Sequence, residues 1–384
     1  MMKTVFFFLT ICFVTPSLHA QKVNFRKLSW DEANKAAQAE SKFIFVDAYT
    51  TWCGWCREMD KKLLTIPSVA SLLNNNFIPV KIDFEDSTGI ILAKKFRVWA
   101  FPTTLVFNPS GQLVGRFGGY TPDSEKYLHF LNECLNTNEE QVFGYNSHDL
   151  NIDFPEFYNA SFYKEGRRWP SDSTVNAYLS KADLFSEAGW SVLLKFNPEQ
   201  FEDSVFKHYN KFKQIYGNDE TATFVMNIID RKLNKAIKND DSLSLQKALK
   251  LVDYLDRPAQ YRIELLVAYS KARKDWPAMT TQLNNLIELN GVNDPLSLNN
   301  NCWTMYEECE DQTTLNQVKT IMKAVVEVHH QWMYTDTYAH LLYKTGNYNE
   351  ALTYTDLAIK EGETEKADVT ETVKLRKKIL EKLK

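Results

Sequence analysis

The sequence WCGWC at residues 52–56 constrains the fold more than any other feature of the chain. It directly follows residues 42–49, which are mostly apolar and rich in strand-favouring side chains. A helix is predicted to begin at Cys53 and to run to about Leu64. Three residues span almost one helical turn, so Cys56 lies beneath Cys53 on one face. The motif therefore joins a buried strand to a helix, as alternating α/β folds do.

This placement gives the two cysteines different chemistry. A cysteine at a helix N-terminus faces unpaired N–H groups and the positive end of the helix dipole, and both favour the thiolate. Cys53 is therefore predicted to be the exposed thiolate that attacks a disulfide. Cys56, predicted to be more buried, would resolve the mixed disulfide that results.

Two other uses of a CxxC motif stay open at this point. A structural zinc site needs about four ligands, but no second CxxC and no suitably spaced Cys/His pair lies nearby. His129 and Cys134 are predicted to be a surface and a core residue of a later helix. A purely structural disulfide is the other alternative. The chain has only six cysteines, with Cys12 in the first 20 residues, which is too few for a disulfide scaffold and favours chemistry.

Residues 22–137 alternate between patterns typical of strands and of helices. Ser29 and Glu32 form a capping box that begins the first helix. Pro122 is predicted to lie in the first turn of the last one. We predict strands at residues 42–49, 77–83, 103–107 and 112–117, and helices at about 30–41, 53–64, 68–75, 88–96 and 122–135. This order predicts an α/β fold in which a mixed central sheet is covered by helices.

Several separate motifs of this region resemble the thioredoxin family, and the CGWC form resembles its exported members. The resemblance covers residues 42–137 and is carried, besides CGWC, by FVDA at 45–48, VKID at 80–83, FRVWAFPT at 96–103, and Gly118 or Gly119. It implies a thioredoxin fold and dithiol–disulfide exchange without a bound cofactor.

Position by position, the resemblance implies that Cys53 is the nucleophile and Cys56 the resolving thiol. Asp47 matches a buried carboxylate that could accept the Cys56 proton, since a carboxylate with few partners has a raised pKa. The lysine that partners this carboxylate in the family falls near Pro79, with Lys81 two residues further on.

The resemblance also implies a substrate-binding surface. Phe101 and Pro102 would be joined by a cis peptide bond, and the backbone of Phe101 would pair with a substrate strand. The other residues expected to contact the substrate are Trp52, Gly54 and Trp55. Gly54-Trp55 replaces the Gly-Pro of thioredoxins proper, and these two positions tune the reduction potential. Reductase, oxidase and isomerase activities therefore all stay open.

The rest of the chain has a different pattern. Residues 138–153 are polar and predict a linker, and residues 154–384 predict an all-α, helical-repeat domain. Residues 338–359, with Gly346 in a tight turn, resemble a tetratricopeptide repeat, and residues 265–289 are a weaker copy. An unrelated helical domain is the alternative.

Cys302 and Cys309 lie in this helical part. If they share one helix, they lie about 10 Å apart on one face, which is too far for a disulfide. Both are predicted to be buried free thiols.

The N-terminus has the layout of a secretory signal peptide. Lys3 precedes the apolar residues 5–14, and Ala20 is small enough to precede a cleavage site. A buried N-terminal helix is one alternative, and retention in the membrane through an uncleaved signal is another. Residues 1–20 predict export, to the periplasm in a gram-negative bacterium and otherwise to the medium. No later stretch is long and apolar enough to predict a transmembrane helix.

The net charge of the chain bears on whether nucleic acid is a partner. The chain has 45 Lys and Arg against 49 Asp and Glu, and this slightly acidic balance does not favour binding of nucleic acid.

Taken together, the cysteine motif, the resemblance and the N-terminal pattern predict an exported thiol–disulfide oxidoreductase, with reduction favoured. Its partners would be protein disulfides or dithiols, an electron-donor thiol protein, and peptides or proteins bound by the helical domain. The alternative of another class is a helical-repeat adaptor whose redox domain is accessory.

Overall fold

The computed structural model of the protein describes residues 22–137, 148–163 and 166–384. The chain divides into two compact units, of which the first ends at Phe224 and the second comprises Val225–Lys384. The predicted signal peptide lies outside the described residues, as does most of the predicted linker. The first unit thus includes helices that the sequence pattern groups with the later helical domain, and each unit is described separately below.

The first unit is built around a sheet of four strands in the order β2-β1-β3-β4. These are β1 (Phe43–Tyr49), β2 (Phe77–Asp83), β3 (Thr103–Phe107) and β4 (Leu113–Gly118). β1 and β2 are parallel, whereas β3 is antiparallel to both β1 and β4. The predicted mixed sheet is confirmed, and the central strand β1 is buried through residues 44–48, as its continuous apolar run requires.

Five helices accompany the sheet: α1 (Trp30–Glu40), α2 (Gly54–Glu58), α3 (Pro67–Asn76), α4 (Ser87–Lys95) and α5 (Ser124–Leu135). α2 continues as a π-helical turn, Met59–Leu63. The predicted capping box is present at α1, where Ser29 and Glu32 bond reciprocally. The prediction that Pro122 lies in the first turn of the last helix is wrong. The Asp123 side chain accepts the Lys126 N–H and so fixes the start of α5 at Ser124.

Aromatic side chains fill both faces of this sheet. On one face Phe45 lies against Phe77, with ring centroids 6.4 Å apart. On the other, Phe107 lies 5.1 Å from Trp30 and 4.9 Å from Phe96. All five are at most 5% exposed, and burial of each such side chain contributes about 1.5–3 kcal/mol. This packing holds β1, and therefore the turn that follows it, in one position.

The first unit continues after the linker with five further helices and a short 3₁₀ turn, Glu199–Phe201. The helices are α6 (Glu156–Ala160), α7 (Asp172–Leu179), α8 (Glu187–Phe196), α9 (Glu202–Lys207) and α10 (Tyr209–Asn239). α10 is broken at Gly217, whose φ of 80° no helical residue adopts. Trp190 of α8 is fully buried and stacks against both Phe212 and Tyr216 of α10.

The second unit is all-helical, as predicted. After the end of α10 it contains α11 (Ser242–Leu251), α12 (Pro258–Ala272), α13 (Trp276–Asn290), α14 (Pro295–Glu308), α15 (Gln312–Val328), α16 (Trp332–Lys344), α17 (Tyr348–Glu365) and α18 (Thr370–Lys382). α12 packs against α13, and each helix from α14 to α18 packs against the next. Gly346 adopts a φ of 79° in the turn between α16 and α17. A helical hairpin is therefore present at residues 338–359, and its tetratricopeptide character stays a prediction.

Cys302 and Cys309 are buried free thiols in this unit, as predicted. Burial raises the pKa of the Cys302 thiol, so it stays protonated and unreactive at neutral pH.

Across the described residues, no helix combines the length and the apolar character needed to cross a bilayer.

Candidate active site

Cys53 and Cys56 form a disulfide at the point where the chain leaves β1 and enters α2. Cys53 caps this helix, and its sulfur accepts the Cys56 N–H at 3.0 Å. Both residues are 3% exposed, so the predicted difference in exposure is absent from the oxidised form, where the two sulfurs are bonded to each other. The N–H bond to the Cys53 sulfur would also stabilise a thiolate there.

Two exposed indoles belong to the cysteine motif, one directly before Cys53 and one directly before Cys56. Trp52 is 60% exposed and Trp55 is 64% exposed. The Trp52 Nε1–H donates to Glu85 at 3.0 Å, and the Trp55 ring stacks on Tyr120 with centroids 5.9 Å apart. Large apolar side chains held open to solvent in this way mark an interaction surface.

The peptide bond between Phe101 and Pro102 is cis, the geometry predicted from the sequence. The Phe101 ring lies edge-on to Trp52, with centroids 6.3 Å apart. The Pro102 carbonyl accepts the Gly119 N–H at 2.8 Å. A Cβ added at Gly119 would meet no atom within 4 Å, so this side of the proline loop is open. The contacts therefore bring the proline loop next to the cysteine motif.

Asp47 lies in the middle of β1 and is 1% exposed. Its Oδ2 accepts from Lys81 Nζ at 2.7 Å, whereas its buried Oδ1 has no hydrogen-bond partner. Burial raises the pKa of Asp47 more than the attraction of Lys81 lowers it. Asp47 is thus a carboxyl group that binds a proton more readily than an exposed aspartate does.

The partner of this carboxylate is Lys81, two residues beyond the position at which the family resemblance puts the lysine. The parallel register pairs Asp47 with Lys81, and Phe45 with Pro79. Lys81 also donates to Asp60 in the π-helical turn, at 2.5 Å. Burial alone would lower the pKa of Lys81, but the attraction of the two carboxylates outweighs it and raises that pKa. Asp60 was missed because only the fold brings it to Lys81.

A second buried ion group, absent from the sequence analysis, lies behind the proline loop. The Arg97 guanidinium donates to both Glu220 oxygens, at 2.9 and 3.0 Å, and to Ser191 at 2.9 Å. Arg116 and the Trp190 indole also donate to Glu220, at 3.1 and 2.8 Å. We call these five residues the Glu220 cluster. It joins the segment before the proline loop to α8 and α10.

One more ion pair holds the same segment. The Lys95 side chain is 1% exposed, and its Nζ lies 2.7 and 2.9 Å from the two Glu187 oxygens. Lys95 and Arg97 immediately precede residues 98–102 and are held by helices that follow the linker. The helices up to Phe224 thus fix the start of the proline loop.

The zinc alternative finds no support in the part of the chain that the structure describes. Within residues 22–137, 148–163 and 166–384, no three His, Cys, Asp or Glu side chains form a group that could hold a metal ion. The His129 side chain is 75% exposed and Cys134 is buried, both as predicted.

Comparison with known proteins agrees with this geometry. The thioredoxin-like domain family matches residues 30–134. Over 104 residues the chain is 34% identical to the thiol:disulfide interchange protein DsbD of Salmonella typhimurium, a match that covers 26% of this chain and 18% of DsbD. Also over 104 residues, the chain is 30% identical to thioredoxin Y of Oryza sativa subsp. japonica, a chloroplastic protein. This match covers 27% of this chain and 58% of that protein.

Among solved structures, the chain is similar to a candidate disulphide-isomerase from Bacteroides thetaiotaomicron. The identity is 38% and the TM-score 0.29, and the match covers 31% of this chain and 98% of the other. The chain spans about a fifth of DsbD and somewhat over half of thioredoxin Y. Residues 30–134 are a thioredoxin-like domain, and the comparisons support thiol–disulfide oxidoreductase chemistry for it.

Proposed function

We propose that this chain, whose residues 30–134 are a thioredoxin-like domain, is an exported oxidoreductase that reduces disulfides in other proteins. One observation carries the proposal. The Cys53–Cys56 disulfide lies at the start of α2, with the Cys56 N–H donating to the Cys53 sulfur. This is where a thiolate is stabilised and can attack.

The first step starts from the reduced protein. The Cys53 thiolate attacks one sulfur of a client disulfide, a Cys53–client bond forms, and the client S–S bond breaks. The departing client sulfur leaves as a thiolate and takes up a proton. The amide that bonds the Cys53 sulfur in the oxidised form supports the negative charge before this attack.

The second step releases the client. Cys56 loses its proton and attacks the Cys53 sulfur, so the Cys53–Cys56 bond forms and the second client thiolate leaves. Two electrons have then moved from the cysteine pair to the client. We assign the Cys56 proton to Asp47, because its raised pKa and its unpartnered Oδ1 suit a buried proton acceptor.

The surface around the disulfide suits an extended polypeptide. The backbone of Phe101 could pair with a client strand, and a client side chain could lie against the exposed rings of Trp52 and Trp55. Gly54 and Pro102 carry no long side chain that would block this approach. The proposed substrate is therefore a disulfide in a protein rather than one in a small molecule.

Export and the electron source complete the proposal. Residues 1–20 have the pattern of a signal peptide, which would place the protein in the periplasm of a gram-negative bacterium or in the medium. After each turnover a thiol protein must return two electrons to Cys53–Cys56. The second unit, with its consecutive helical hairpins, is proposed as a tetratricopeptide-like region that binds peptides or proteins.

The reduction potential of the Cys53–Cys56 pair tests the direction of electron flow. It is measured by equilibration with dithiothreitol or glutathione, followed by mass-tagging of the free thiols. A value near about −270 mV, that of thioredoxin, supports a reductase, whereas one near about −120 mV means that the protein donates disulfides. If the pair does not cycle at all, the helical-repeat adaptor becomes the better account.

A further inference from the structure

Lys195, near the end of α8, extends into a group of aromatic rings. Its Nζ lies 3.9 Å from the centroid of Phe162, 4.8 Å from that of Trp99 and 5.7 Å from that of Trp169. We call these four residues the Lys195 pocket. Phe162 is 9% exposed, but Trp99 is 40% and Trp169 is 65% exposed, so the pocket opens to solvent along its two indoles.

Among the described residues, the Lys195 ammonium has no carboxylate partner and donates no hydrogen bond to an acceptor. The charge that acts on it most is Arg167, which is also positive. Burial and this repulsion lower the pKa of Lys195 to about 8. Lys81 and Lys95 in the same unit each have a carboxylate at 2.7 Å, which makes Lys195 the exception among these three.

Three basic side chains lie near the pocket, with one carboxylate, Glu156, acting on one of them, Lys94. Arg167 and Arg168 are exposed beside Trp169, and Lys94 lies over the Tyr163 ring at 5.2 Å. Three aromatic walls and an unpaired ammonium suit a carboxylate on a short apolar stem. The stem can pack on the rings while the carboxylate accepts from Nζ.

The pocket is also close to the redox site along the chain. Trp99 precedes Pro102 by three residues, which is at most about 11 Å of extended backbone. The helix that carries Lys195 also carries Ser191 of the Glu220 cluster and Glu187, the partner of Lys95. These contacts fix the pocket relative to the proline loop.

From these observations we propose that the Lys195 pocket binds an aspartate or glutamate side chain of the client polypeptide, close in sequence to the client disulfide. This rests on the proposed function, since it assigns a sequence preference to the same substrate. The protein would then favour disulfides that have an acidic residue at one fixed spacing, because the pocket and the proline loop hold the client chain at two points.

The test uses disulfide-linked peptides that differ only by Glu or Gln at one position, scanned from two to six residues on either side of the cysteine. The kcat/KM for their reduction is measured at low salt. At one spacing we expect the protein to prefer the Glu peptide by about fivefold, mainly through KM. Lys195→Gln should abolish the preference, whereas Lys207→Gln, an exposed lysine of α9, should leave it unchanged.

A binding measurement keeps this test independent of the redox chemistry. The same peptides are titrated against the Cys53→Ser, Cys56→Ser double variant, which cannot exchange disulfides, with tryptophan fluorescence as the readout. Tighter binding of the Glu peptide, lost on Lys195→Gln, supports the pocket even if no peptide is reduced, and that failure would count against the proposed function alone. Equal binding of Glu and Gln peptides at every spacing overturns the pocket.

Discussion

Two buried carboxylates of the first unit differ in how completely they are paired. Glu220 is 4% exposed, and both of its oxygens accept from Arg97, with Arg116 and Trp190 as further donors. Asp47 is 1% exposed, but only one of its oxygens has a donor, Lys81.

The pairing of each carboxylate determines what it can do. A buried ion with all its partners in place stabilises one arrangement of the chain. Removal of one partner lowers the free energy of unfolding strongly, because a charge is left buried without compensation. A buried carboxyl with a free oxygen has a raised pKa and can exchange a proton. Glu220 is therefore suited to hold the proline loop, and Asp47 to exchange a proton with the cysteines beside that loop. Substitution of Glu220 should mainly lower stability, whereas substitution of Asp47 should mainly lower activity.

Substitution of Glu220 should reduce the stability of the protein more than any other change considered below. Glu220→Ala removes the carboxylate that Arg97 and Arg116 share, and the Arg97 side chain is fully buried. The free energy of unfolding should therefore fall by about 3–5 kcal/mol. Urea unfolding followed by circular dichroism measures this change. Glu220→Gln keeps the shape and should lose less. A loss below about 1 kcal/mol for the alanine variant would mean that the cluster does not hold the fold.

The next effect is kinetic and belongs to Asp47. Asp47→Asn removes the proposed proton acceptor, so release of the client from the Cys53 mixed disulfide should slow by about 10²-fold at pH 7. Stopped-flow measurement of that release separates it from the first attack on the client. Asn keeps the size of the side chain and controls for packing. An unchanged release rate would remove Asp47 from the mechanism.

The same carboxyl predicts how stability depends on pH. The folded protein raises the pKa of Asp47 above the value of about 3.9 usual for the unfolded chain. The protonated Asp47 therefore stabilises the folded protein at low pH, and this stabilisation is lost as the pH rises through the folded-state pKa. Relative to Asp47→Asn, the wild-type protein should become less stable as the pH rises from about 4. Unfolding of both oxidised proteins across this range measures the difference, and parallel curves would contradict the raised pKa.

The smallest effect is expected at Asp60. Its side chain is 40% exposed, so the pair with Lys81 is screened by solvent. Asp60→Asn should change the free energy of unfolding by less than about 1 kcal/mol. It removes one of the two attractions that raise the pKa of Lys81, so NMR titration of Lys81 should give a lower value. A large loss of stability would mean that Asp60, like Glu220, is needed to hold the fold.

Much of the redox site could be predicted because its signals are local. The capping box at Ser29, the CGWC motif and the segment that ends at Pro102 each lie within a few residues of sequence. Their conformation depends on hydrogen bonds and turns between near neighbours. The bounds of the strands could also be predicted from local sequence, because an uninterrupted apolar run such as β1 is typical of a strand that is buried on both faces.

The remaining features depend on contacts that sequence patterns do not encode. Arg97 and Glu220 are 123 residues apart, and nothing in the pattern around either one marks them as partners. The sequence left open whether Lys81 faces Asp47, because the register between β1 and β2 is a property of the folded sheet. Lys195 lies near the end of a helix, and only folding brings the rings of Trp99 and Phe162 around it.

The most direct test of the proposed chemistry is to trap the mixed disulfide. Cys53→Ser and Cys56→Ser proteins are each incubated with an oxidised client protein, and adducts are read by non-reducing electrophoresis and mass spectrometry. We predict that Cys56→Ser accumulates a client bonded to Cys53, whereas Cys53→Ser accumulates almost none. Adducts that form mainly through Cys56, or through neither cysteine, would contradict the assignment of Cys53 as the attacking thiol.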